Sequence, residues 1–198
     1  MPSRPPPRPN EANVNLFNGR PVQSRSSASV PSAQSDEAHS LYKYIDLRRV
    51  YAINVGPPGS TDWQAESSKC IKPWHLRTDV AAWTESLEGN SIIINVPFSQ
   101  TVRITSLLIN QGSGDDAPRR VRLFVNRPNG LDFDDVNDDA VATGPPNSGL
   151  PQGDFLLRDQ DATVASAEDR VQEYPLARFS AKFAYTHSVH VVLVSLQG

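Results

Sequence analysis

The sequence of 198 residues holds one cysteine, Cys70. A lone cysteine excludes an internal disulfide, and without a CxxC pair there is no dithiol redox chemistry. A reducing, intracellular compartment fits this usage. Cys70 is expected to be a small, partly buried side chain. Long apolar runs are missing too: nothing approaches the roughly 18 consecutive apolar residues of a membrane span. The opening MPSRPPPRPN lacks the apolar segment of a secretory signal. Its prolines, Pro5 to Pro7, prevent the amphipathic helix of a transit peptide. The expected location is the cytoplasm, the nucleus or both, with no membrane partner.

A large excess of charge of one sign is also missing, with 19 Lys and Arg against 22 Asp and Glu. The net charge is -3, which gives no basic field for nucleic acid. Arg119, Arg120 and Arg122, with Lys43, Arg48 and Arg49, are locally basic. Acidic loops of similar size offset them, so no nucleic-acid partner is expected.

Catalytic signatures are absent. There is no GxSxG, Walker A, GxGxxG or HExxH pattern. The acidic run DFDDVNDD from Asp132 has oxygens at two alternating positions, but Val136 breaks the alternation and the central glycine of a calcium loop is missing. It is expected to be a solvated loop. Of the four histidines, His187 and His190 are three apart, so on a strand they face opposite sides and cannot share a metal. The histidines are expected to be ordinary surface or hydrogen-bonded residues. No enzyme, cofactor or metal is implied.

What the chain does have is 17 prolines and 11 glycines, a composition that favours short strands joined by turns over long helices. Residues 1–38 are rich in Pro, Ser, Asn and Arg, with few and aperiodic apolar side chains. A disordered tail is expected there, with polyproline II conformation over Pro5 to Pro9. The domain is expected over residues 39–198, long enough for one core. A short helix near Leu41 and a strand from about Val50 to Val55 open it, closed by Gly56-Pro57-Pro58-Gly59.

Residues 60–90 read as irregular and hold all three tryptophans, Trp63, Trp74 and Trp83. They are expected to plug the edge of a sheet, with a partner-binding surface as the alternative. SIIINVPF from Ser91 is a strand buried on both faces, ended or placed at an edge by Pro97. In TVRITSLLINQ, Val102, Ile104 and Leu108 share one face and Arg103 and Thr105 the other. In RRVRLFVNR, Val121, Leu123 and Val125 point inward, against Arg120, Arg122 and Asn126. DFLLR is a short strand, 159–173 shows no steady pattern, YPLARFSAKFAYTH is a strand or bent strand, and SVHVVLVSL a strong last strand. About seven or eight strands mean an all-β fold, a β-sandwich or jelly roll.

Several segments, in their order and spacing, resemble a known family. Leu41-Tyr44-Ile45 is followed by Lys72-Pro73-Trp74 with Arg77-Thr78-Asp79. Then come Ile92 to Phe98, Val102 to Ile109 and Arg122 to Pro128, and Leu131-Asp132-Phe133-Asp134-Asp135 completes the pattern. Further on, Tyr174-Pro175-Leu176, Arg178-Phe179 and Val189-His190-Val191 match its penultimate strands. This arrangement over about residues 41–195 resembles the PITH domain, the module named for proteasome-interacting thioredoxins, and is most similar to its stand-alone form without a thioredoxin domain. The resemblance implies a galactose-binding-like β-sandwich and a protein-interaction role with the proteasome as partner, without implying that the sandwich binds sugar. It gives Lys72, Trp74, Arg77, Asp79, Asp132, Phe133, Asp134 and Asp135 weight as candidate binding residues. The family pattern runs on through a polar turn into a last strand, whereas this chain reads VHVVLVSLQG and stops. The fold is therefore expected to lack that strand, leaving an exposed edge or core gap. The competing reading is a carbohydrate- or small-ligand-binding sandwich, motivated by the fold class and the tryptophans.

Overall fold

The computed structural model describes residues 37, 39–56, 62–79, 81, 83–111, 117–136, 149–158, 170–179 and 181–195. The tail expected over 1–38 lies, apart from Glu37, outside the described residues, as do Asn137 to Asp139 of the acidic run and Leu196 to Gly198, where a last strand was expected to be missing.

Seven strands occur among the described residues: β1 (Tyr51–Ile53), β2 (Ser91–Val102), β3 (Ser106–Asn110), β4 (Arg120–Val125), β5 (Gly153–Leu156), β6 (Val171–Pro175) and β7 (Thr186–Val194). A five-stranded sheet has the order β1-β2-β7-β4-β5, and β3 pairs with β6 in a two-stranded sheet. Every pairing is antiparallel. The expected all-β sandwich is what the chain forms.

Side-chain alternation builds the core. Ala52, Ile94, Val191, Leu123 and Gly153 lie in register across the large sheet and face inward. With Val96, Val121 and Val189 they pack against Leu107, Ile109 and Tyr174 of the small sheet. Phe155 and Tyr174 stack across the sandwich, centroids 5.5 Å apart. The opposite face of the large sheet carries a second apolar cluster of Ile93, Phe124 and Val192, covered by Leu131 and Val136. A sheet covered on both faces explains the apolar run Ile92-Ile93-Ile94, where Ile93 faces the second cluster and Ile94 the main one.

Three local expectations are corrected. Pro97 neither ends β2 nor sits on an edge strand: β2 runs on to Val102 between β1 and β7, with a register shift after Pro97. β1 pairs only as far as Asn95, so the missing N–H of Pro97 breaks no β1 ladder bond. Leu108 does not share a face with Val102 and Ile104, because the chain leaves the strand at 103–105 and Leu107 and Ile109 point into the core instead. Finally, the irregular stretch contains a helix, α1 (Trp63–Lys69), whose first turn is capped by Asp62 accepting from Ala65 N–H at 2.9 Å.

Candidate interaction site

The candidate residues from the Lys72-to-Asp79 segment fold on themselves. Trp74 opens a 3-10 turn, Trp74–Leu76, and is 6% exposed. The Arg77 guanidinium lies 3.9 Å from the Trp74 ring centroid and donates to the Trp74 carbonyl at 2.8 Å. That pairs a cation–π contact with a charge-assisted hydrogen bond on one residue. The Lys72 ammonium donates to the Asp79 carbonyl. Desolvation lowers the Lys72 pKa, with the Asp79 charge opposing that shift. The Asp79 carboxylate accepts from Ala81 N–H at 2.8 Å. Asn110, at the end of β3, donates to the Arg77 carbonyl at 3.3 Å and docks the segment on the small sheet.

Asp132, Phe133, Asp134 and Asp135 lie elsewhere, on the outer face of the large sheet. Phe133, Asp134 and Asp135 lie in a single helical turn, α2 (Phe133–Val136), which Asp132 precedes. Asp132 Oδ1 accepts from the N–H groups of Asp134 and Asp135 at 3.0 and 3.2 Å, and Asp135 Oδ2 accepts from Asp132 N–H at 3.1 Å. This is a reciprocal capping box built from two aspartates. Leu131, Phe133 and Val136 pack on the sheet. Arg122, buried on β4, donates to the Val136 carbonyl at 2.7 Å. The loop is thus a strap bonded to the sheet, while Asp132, Asp134 and Asp135 remain exposed. The two candidate groups therefore sit on different layers.

The tryptophans divide as well. Trp74 plugs the fold as expected, but Trp63 and Trp83 are 55% and 69% exposed. Cys70 packs against the main core beside Thr84, and burial pushes its thiol up to about 11. It is the partly buried side chain expected.

Sequence reading missed His190. His187 is exposed and lies 3.1 Å from Thr101, whereas His190, on the opposite face, is 1% exposed. Neither ring nitrogen of His190 has a hydrogen-bond partner among the described residues, so it is neither a surface nor a hydrogen-bonded histidine. Burial, aided by the Arg127 charge, pushes its pKa down to about 4. Its place in the alternation of β7 marked it as outward-facing, but only the strap and the large sheet's second apolar layer bury that face.

Among the described residues, no group of three or more His, Cys, Asp or Glu side chains is placed to hold a metal ion, and no helix is long and apolar enough to cross a membrane. The fold and these elements define an all-β sandwich whose polar motif residues fasten its own loops. The model of the PITH domain matches residues 31–198, and the chain belongs to that family. It is similar to PITH domain-containing protein 1 of Homo sapiens, 31% identical over 163 residues, which is 81% of this chain and 64% of the relative. It is also similar to PITH domain-containing protein CG6153 of Drosophila melanogaster, 33% identical over 98 residues, 50% of this chain and 43% of that protein. A third relative is PITH domain-containing protein ZK353.9 of Caenorhabditis elegans, 24% identical over 166 residues, 83% of this chain and 67% of that protein. The chain thus spans less than two thirds of the human and Drosophila relatives. These names are of stand-alone PITH proteins and state no reaction.

Proposed function

We propose that this chain is a non-enzymatic protein-interaction module that associates with the proteasome or a related assembly, in the cytoplasm, the nucleus or both. Membership of the PITH family carries the reading. Two features support it. In the Lys72-to-Asp79 segment and the strap, Lys72, Arg77, Asp132 and Asp135 each bond backbone of their own segment, which suits rigid presentation of a surface better than proton transfer. Trp63 and Trp83, largely exposed, are the residue type most enriched among binding hot spots. Asp134, exposed on the strap, is the candidate carboxylate for a basic contact. The test is affinity purification of the tagged chain from its own cells in low salt. Proteasome subunits are expected with the wild type, at reduced yield with the Trp63→Ala, Trp83→Ala double variant. Recovery of no proteasome subunit by the folded wild type overturns the reading.

A further inference from the structure

Asn95, His190 and Phe124 stand side by side in one row across β2, β7 and β4, on the outer face of the large sheet. Residues opposed in this way have Cβ atoms about 5 Å apart. His190 is 1% exposed and Asn95 8%. Both nitrogens of the His190 ring and the Nε of Arg127 are buried without a hydrogen-bond partner among the described residues. The Asn95 carboxamide has no side-chain hydrogen bond among the described residues either, though its polar atoms are not among the fully buried ones. The Arg127 guanidinium lies 5.6 Å from the Phe124 ring centroid, on the side of His190 away from Asn95. Its Nη2 donates to the neutral Leu150 carbonyl at 3.3 Å, and no carboxylate pairs with it among the described residues. Tyr51 continues the row beyond Asn95. Its hydroxyl comes so close to Gly130 that a Cβ there would lie 2.9 Å from the oxygen. Tyr51 and the start of the strap thus meet above the row.

Buried polar groups are almost always paired, so the His190 ring and Arg127 Nε need a partner, and Asn95 stands beside them to share it. The composition of the cluster says which kind. A neutral imidazole offers one donor and one acceptor, a carboxamide two donors and an acceptor, and Arg127 Nε one charged donor. Donors outnumber acceptors, and the one positive charge has no carboxylate partner among the described residues. Among the described acids of this face, Asp132 and Asp135 are engaged by backbone N–H groups of the strap, Asp154 is bidentate with Arg120 at 2.8 and 2.6 Å, and Asp134 is exposed. We infer that Asn95, His190 and Arg127 form a subsite for one carboxylate group, roofed by Tyr51 and the loop at Gly130. A carboxylate is acceptor-only, planar and singly charged, matching one guanidinium under a low roof. The inference is independent of the proteasome reading.

The test is NMR of the full chain, following the His190 ring nitrogens and the Arg127 Nε–H while sodium acetate replaces sodium chloride at constant ionic strength. Acetate is expected to shift both saturably and to raise the His190 pKa by about one unit, a tenfold gain in proton affinity. Arg127→Gln and Asn95→Leu should each abolish the response, so either variant serves if the other fails to fold. A capped acidic pentapeptide distinguishes the sources. A response to acetate alone assigns a small free acid, and a response to the peptide, in the wild type or in Tyr51→Ala, assigns an acidic side chain of a partner. No response to either ligand in both the wild type and Tyr51→Ala, with a long-lived water at His190, leaves a buried water only and overturns the inference. An equal response to inorganic phosphate, or one undiminished in Arg127→Gln and in Asn95→Leu, overturns it as well.

Discussion

At the scale of single residues, the groups that matter most are those whose surroundings contradict their type. His190 is fully buried beside a cation, so it stays neutral well below the ordinary histidine value of 6.5, down to about 4. In the unfolded chain it takes up a proton near 6.5, so between the two values the unfolded state binds more protons. Stability therefore rises with pH across that window. Acidifying from above 6.5 to about 4 is expected to remove about 3 kcal/mol through this residue. Urea unfolding in carboxylate-free buffers checks it: the wild-type midpoint should fall over this range, and His190→Leu should flatten the dependence. A His190→Leu profile as steep as the wild type's would assign the acid sensitivity to other groups. Asn126, from the family-like segment Arg122 to Pro128, shows a different contradiction. It adopts φ of 56°, a conformation that asparagine tolerates better than most residues. Its side chain bonds Tyr185 O at 2.8 Å and His187 N–H at 2.7 Å, fixing the start of β7.

At the scale of elements, the strap is held by local capping at one end and by Arg122 at the other. Asp132→Ala removes the acceptor for two backbone N–H groups and should cost about 1 kcal/mol. The loss should appear as faster amide exchange at Asp134 and Asp135, with little change in the β2 amides. Uniformly faster exchange through the sheet would show that the strap is integral to the fold. The strap's acidic residues were visible in the sequence, but their role was not. Capping needs a helical turn, and four residues are too few to show a period. The same cause hid α1. Its buried residues are Glu66 and Ser67, not apolar ones. Ser67 Oγ accepts from Ala52 N–H at 2.9 Å, and Glu66 lies over Gly56, where a Cβ would come within 2.7 Å of its Cγ. Gly56 has φ of 100°, which suits glycine alone. A helix docked by polar atoms and a glycine leaves no hydrophobic stripe to read. The strands of the large sheet were legible because their alternation is long and strict, as in β4, where Val121, Leu123 and Val125 do face the core.

At the scale of the whole molecule, alternation predicts faces but not which sheets those faces meet. The inward row of β4 and the single sandwich could be read from the sequence. The division into sheets of five and two strands could not, because 103–105 interrupt the chain between β2 and β3. The interruption carries β3 out of the large sheet and onto its inner face, where Leu107 is 0% exposed in the main cluster. Beside the small sheet, backbone bonds among the described residues, such as Ile104 N–H to Phe183 O at 3.0 Å, join its flanking segments rather than β3 or β6, so apolar packing must couple the two layers. Leu107 is the test of that coupling. Leu107→Ala should cost about 2–5 kcal/mol, from lost burial and the cavity left behind. If the two sheets unfold as one unit, native-state exchange at Ile94 and Val191 should accelerate as much as at Leu108, since all three open only with the whole domain. Acceleration confined to β3 and β6 would show instead that the small sheet opens alone.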